Sequence, residues 1–154
     1  MNYGLLLGNI KRFIKGNFML RSVDLSDYMS RNPLSVSATD NVFDAIELIV
    51  EHKVSGVCVV DEQSTLLGVL SELDCLRAIL NASYNNNSDI GSVRDYMTEE
   101  VDSCKLHADV VDVADFMIKQ GHRRLPVVDK GKLVGQITCR QLLTVVSQFA
   151  NVAA

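Results

Sequence analysis

Ser71 and Asp74 stand three residues apart, after an apolar run and at the start of a stretch with helical spacing. A helix N-terminus in that position offers unpaired N–H groups and a partial positive charge, which suit a phosphate. The hydroxyl of Ser71 could add a hydrogen bond, and the carboxylate of Asp74 could accept from both hydroxyls of a ribose. The same pair also reads as an ordinary helix cap, with Ser71 closing the first turn and Asp74 favouring the dipole. Further along, Thr138 keeps the hydroxyl of this pattern, but Gln141 stands where the carboxylate would be. An amide cannot receive charge-assisted hydrogen bonds, a difference worth about 1 kcal/mol or more to a ribose contact. Arg123 and Arg124 carry rigid cationic forks that match phosphate oxygens, and they also suit an exposed turn between helix and strand.

Other chemistry finds little support. There is no G-x-S-x-G elbow, no Walker-type loop and no recognisable catalytic carboxylate pair, so an enzyme is not expected. His52, His107 and His122 fall in unrelated places, and His122, after Gly121, suits a helix C-terminus. Cys58, Cys75, Cys104 and Cys139 include no C-x-x-C pair, so neither a metal nor a required cofactor is expected. Reduced, packed thiols fit a cytoplasmic protein. The net charge of −4 excludes a broad nucleic-acid face, though a local basic cluster can still hold a small anion.

The elements that must position these residues come from an internal repeat. Asp27-Tyr28-Met29 recurs as Asp95-Tyr96-Met97 and Val59-Val60-Asp61 as Val127-Val128-Asp129, both at a shift of 68. Gly68 and Ser71 then map to Gly135 and Thr138 at a shift of 67, so one residue is missing from the second turn. Each copy reads β-α-β-β-α. A short extended run (34–37, 104–106) precedes a helix whose apolar stripe is Val42, Ala45, Ile46, Ile49 and Val50 in one copy. In the other it is Val110, Val113, Ala114, Met117 and Ile118. Thr39 or Asp40 is the expected cap of the first helix. β-Branched runs 57–60 and 125–128 form hairpins with 66–70 and 133–137, and closing helices begin near Ser71 and Thr138. One such unit leaves a sheet face bare, so the two copies are expected to pack together.

On Asp27-Tyr28-Met29, Val59-Val60-Asp61-Glu62, Gly68 to Asp74, Asp95 to Thr98, His122 to Asp129 and Gly135 to Thr138, the chain resembles the CBS-pair family, named after the cystathionine β-synthase domain, in its stand-alone bacterial type. The likeness runs from about Val23 to Val146. It implies an α+β fold of tandem CBS motifs with pseudo-twofold symmetry, two equivalent clefts for adenosine-containing ligands, a flat homodimer and a regulatory role toward some other protein. Carried over by residue, one cleft would combine Ser71 and Asp74 with Val101, Arg123, Arg124, Leu125 and Pro126. The other would combine Thr138 and Gln141 with Met29, Ser55, Gly56 and Val57, and it departs from the pattern in lacking both the carboxylate and the arginines. The resemblance thus implies one adenine nucleotide per chain (AMP, ADP, ATP or S-adenosylmethionine). A ligand-free scaffold or dimerisation protein of the same architecture is the rival expectation.

The expected divisions are an N-terminal amphipathic helix at 1–18, motif one at 19–80, a polar linker at 81–92 and motif two at 93–150. Lys11, Arg12 and Lys15 follow Leu5-Leu6-Leu7, the reverse of a signal peptide, and no apolar run is long enough to span a bilayer. The segment is expected to dock on its own protein. A basic helix lying on a membrane surface is the weaker alternative.

Overall fold

Apolar residues at three- and four-residue spacing form helices, and the β-branched runs form strands. The structure, a computed structural model, describes residues 24–86 and 88–144, so the helix expected at 1–18 lies outside the described residues. After a 3-10 turn at Leu25–Asp27 come β1 (Ser30–Arg31), β2 (Ser35–Ser37), α1 (Val42–His52), β3 (Gly56–Val60), β4 (Leu66–Ser71) and α2 (Glu72–Tyr84). There follow α3 (Val93–Tyr96), β5 (Cys104–Lys105), α4 (Val110–Gln120), β6 (Arg124–Asp129), β7 (Lys132–Thr138) and helical residues from 139 to 144. The fold is α+β, and β-α-β-β-α occurs twice.

The chain divides into two compact units, each drawing on both repeats. One, here the near-continuous unit, holds 32–102 and 128–133; the other, the segmented unit, holds 24–31, 103–127 and 134–144. The reason is strand pairing. In the segmented unit β1 runs antiparallel to β7, Ser30 opposite Gln136, in a sheet ordered β1-β7-β6-β5. In the near-continuous unit the repeat-related residues, Val69 and Thr98, form a bridge with reciprocal bonds of 3.0 and 2.9 Å. Each repeat's leading segment therefore pairs with the second hairpin strand of the other repeat. Glycine allows both approaches: a Cβ on Gly68 would sit 2.5 Å from the Thr98 carbonyl oxygen, and one on Gly135 2.7 Å from that of Ser30.

Within the near-continuous unit β2 lies parallel to β3, with α1 as the crossover, and β4 returns antiparallel. Val36, Val42, Ala45, Ile49, Val57, Val59, Leu70, Ala78 and Val93 fill its core. Leu25, Met29, Val110, Val111, Val113, Met117, Leu125, Val127 and Ile137 fill that of the segmented unit. Val50 and Ile118, expected in the buried stripes, are instead mostly exposed. Val111 is buried without having been expected.

Local chemistry explains the element ends. The cap of α1 is Asn41, whose Oδ1 accepts from Phe43 N at 2.8 Å, and neither Thr39 nor Asp40 takes that place. Asp40 Oδ2 accepts from Ser37 N at 2.8 Å and closes the preceding turn. α4 ends at Gly121 (φ 72°), with Gly121 and His122 N–H groups donating back to Ile118 and Met117. α2 continues to Tyr84, past residue 81 where the linker was expected to begin, because Ala82 and the preceding apolar residues sustain helical spacing. The missing turn residue is visible as well. Lys130 and Gly131 both have positive φ, as a two-residue hairpin turn requires, whereas the longer first turn runs through Ser64 at φ 64°.

Candidate functional site

Ser71 ends β4 and caps α2, so strand and helix together fix its side chain. Its hydroxyl accepts from Asp74 N at 3.2 Å and donates to Asp74 Oδ2 at 2.8 Å, while Ser71 N donates to the same oxygen at 2.9 Å. This is a reciprocal capping box. Glu72 N is bonded to the Ser55 carbonyl at 3.0 Å, which ties the helix start to the residue before β3. Asp74 is 4% exposed and, among the described residues, the only buried charged side chain. Its Oδ1 accepts from Arg77 Nη1 at 2.9 Å, and that guanidinium is itself largely exposed. Sequence reasoning overlooked Arg77. The Asp-x-x-Arg spacing on one helix face was the available signal.

The second repeat rebuilds the arrangement with neutral groups. Gln141 Oε1 accepts from Thr138 N at 2.8 Å and from Thr138 Oγ1 at 3.3 Å, and Gln141 N donates to Thr138 Oγ1 at 3.2 Å. Gln141 Nε2 donates to Ser30 Oγ. Cys139 N bonds the Arg123 carbonyl at 3.0 Å, as Glu72 N bonds that of Ser55.

The other candidates divide between the units. Ser71, Asp74, Ser55, Gly56, Val57 and Val101 lie in the near-continuous unit; Met29, Arg123, Arg124, Leu125, Pro126, Thr138 and Gln141 lie in the segmented one. The side chains of Val57, Met29 and Leu125 belong to the cores. Gly56 opens β3, where a Cβ would stand 2.8 Å from the Leu70 carbonyl oxygen. Arg123 is exposed, and Arg124, half-buried, starts β6. Pro126 is buried in β6, and its carbonyl accepts from Cys104 Sγ at 3.6 Å.

Burial pushes the Cys104 thiol up to about 11, and burial followed by the neighbouring Asp74 and Glu72 charges raises Cys75. Neither is an activated nucleophile. Among the described residues no cluster of three or more His, Cys, Asp or Glu could hold a metal, and no helix is long and apolar enough to cross a membrane.

The CBS domain family model matches residues 25–81 and 93–148. The chain therefore belongs to the CBS domain family. Protein MJ1225 of Methanocaldococcus jannaschii is 32% identical over 112 residues, which are 73% of this chain and 39% of that protein. The inosine-5'-monophosphate dehydrogenase of Nitrosopumilus maritimus is 30% identical over 141 residues, 88% of this chain but 28% of the enzyme. The chain thus spans well under half of each, and its likeness to the dehydrogenase lies in the CBS portion. CBSX2 of Arabidopsis thaliana, crystallised in complex with AMP, is 32% identical with a TM-score of 0.73, covering 82% of this chain and 98% of that one. These relatives are archaeal and plant proteins, so the likeness is not confined to bacterial CBS pairs.

Proposed function

We propose that this chain is a regulatory, non-catalytic sensor that binds an adenine nucleotide at the start of α2. Asp74 carries the reading. Gln141 demonstrates that the cap needs only a neutral acceptor, so the buried charge at Asp74 exceeds what the fold requires. Burying a carboxylate is costly even when it is paired, and a ribose diol is a ligand that rewards it. The relative CBSX2, crystallised with AMP, supports the ligand class. In this proposal Asp74 takes the ribose and Ser71 with the first turn of α2 faces the phosphate end. The four free thiols support a reducing, cytoplasmic setting.

The same proposal includes a homodimer. Leu73, Leu76, Leu80 and Tyr84 lie on one face of α2 and are all more than half exposed, a stripe suited to a second copy of the chain.

Calorimetric titration of AMP, ADP, ATP and S-adenosylmethionine into the full chain tests the ligand. One site per chain for at least one of them is expected. No heat and no change in melting temperature with any of the four would leave the ligand-free scaffold in its place.

A further inference from the structure

We infer that Arg77 is a built-in competitor for the ribose, so that it sets both the affinity of the site and its preference for a full 2′,3′-diol. The inference rests on the nucleotide reading above. A carboxylate has about four lone-pair positions. Ser71 N and Ser71 Oγ fill two on Oδ2, and Arg77 Nη1 fills one on Oδ1. One remains, and a diol that donates from both hydroxyls needs two. The Ser71 bonds cannot yield without opening the first turn of α2. Arg77 can, because 69% of its side chain is in solvent and its bond to Asp74 Oδ1 is what holds it at the site.

A ligand with one ribose hydroxyl uses the open position and leaves Arg77 in place. A diol must displace the guanidinium. The device belongs to the first repeat alone. Arg77 corresponds to Thr144, whose Oγ1 donates to the Arg140 carbonyl at 2.8 Å and not to Gln141. Arg77 is thus a positioning residue for the carboxylate in the empty state and a specificity residue when ligand arrives.

The experiment compares adenosine with 2′-deoxyadenosine, neither of which has a phosphate that Arg77 could attract. Their affinities, and that of AMP, are measured on the wild-type chain, Arg77→Met and Arg77→Lys, with melting curves to confirm folding. Arg77→Met is expected to bind adenosine roughly fivefold more tightly, in keeping with release of one partly exposed ion pair, and 2′-deoxyadenosine about as before. The ribose-to-deoxyribose selectivity then rises by that factor, with Arg77→Lys between the two. Selectivity unchanged or lowered in Arg77→Met, with adenosine still bound, would overturn the role of Arg77 and leave the nucleotide reading standing. Should Arg77→Met fail to fold, Arg77→Lys carries the same comparison. Absence of adenosine and AMP binding in every folded variant would overturn both.

Discussion

Asp74 and Gln141 hold the same place at the start of two repeat-related helices and make the same backward bond. Asp74 Oδ2 accepts from Ser71 N–H at 2.9 Å, and Gln141 Oε1 accepts from Thr138 N–H at 2.8 Å. They part at the second polar atom: Asp74 Oδ1 receives Arg77, whereas Gln141 Nε2 donates to Ser30. The structural duty is shared, and the charge is not.

Replacing either residue by alanine should therefore cost about 1 kcal/mol of stability, the usual value of a helix cap. Only Asp74→Ala should also weaken AMP, by about 1–3 kcal/mol, the scale of a hydrogen bond to a charged group. Denaturant melts and calorimetry on the two variants separate the effects. Equal losses of AMP affinity would show that the second repeat carries a live site.

The apolar face of α2 gives the second prediction. A double substitution, Leu76→Lys with Leu80→Lys, should convert a dimer to a monomer without unfolding the chain, because both side chains are more than half exposed. Sedimentation equilibrium at micromolar concentration reads the mass directly. A wild-type species of 17.0 kDa throughout would end the dimer proposal.

At Gly68 any side chain meets backbone. The carbonyl oxygen of Thr98 would be 2.5 Å from a new Cβ, and it is held there by the Val69 N–H. Gly68→Ala should lower stability by about 1–3 kcal/mol, the range for overpacking. An unchanged melting temperature would mean that the Val69–Thr98 bridge is loose in solution.

Thiol chemistry supplies a pH prediction. With its pKa raised to about 11, folded Cys104 stays a thiol where an unfolded cysteine has begun to ionise near 9.0. The folded state therefore holds the proton more tightly, and this contribution to stability is present below pH 9 and lost as pH rises through about 11. Alkylation of the native protein at pH 8.5, followed by mass spectrometry, should label Cys104 far more slowly than the denatured chain; comparable rates would contradict its burial.

The repeat made most of the fold legible. Positions at a shift of 68 announced two copies of one unit, and the β-branched runs located the hairpins within a residue or two. Pairing partners were not legible. Nothing local in Ser30 or Thr98 says that one faces Gln136 and the other Val69, because such bridges join segments distant in sequence. The cap of α1 was misplaced because Thr39, Asp40 and Asn41 are all good cap residues, and only backbone geometry chooses among them. At the site, Ser71 and Asp74 were readable as a pair. Arg77 was not singled out, since an arginine on an exposed helical turn gives no sequence sign that its partner is buried.

The make-up of the segmented unit also bears on how the protein is synthesised. Leu25 and Met29 leave the ribosome among the first of the described residues, yet their core partners include Leu125, Val127 and Ile137. Most of the near-continuous unit, residues 32–102, has emerged well before those partners exist. Throughout that interval the strand pairing of Ser30 and Arg31 with β7 has no complement. The nascent chain therefore carries an apolar segment around Leu25 and Met29 that cannot be buried in its own unit until residues 125–137 have emerged, a window in which a chaperone or a neighbouring nascent chain can engage it.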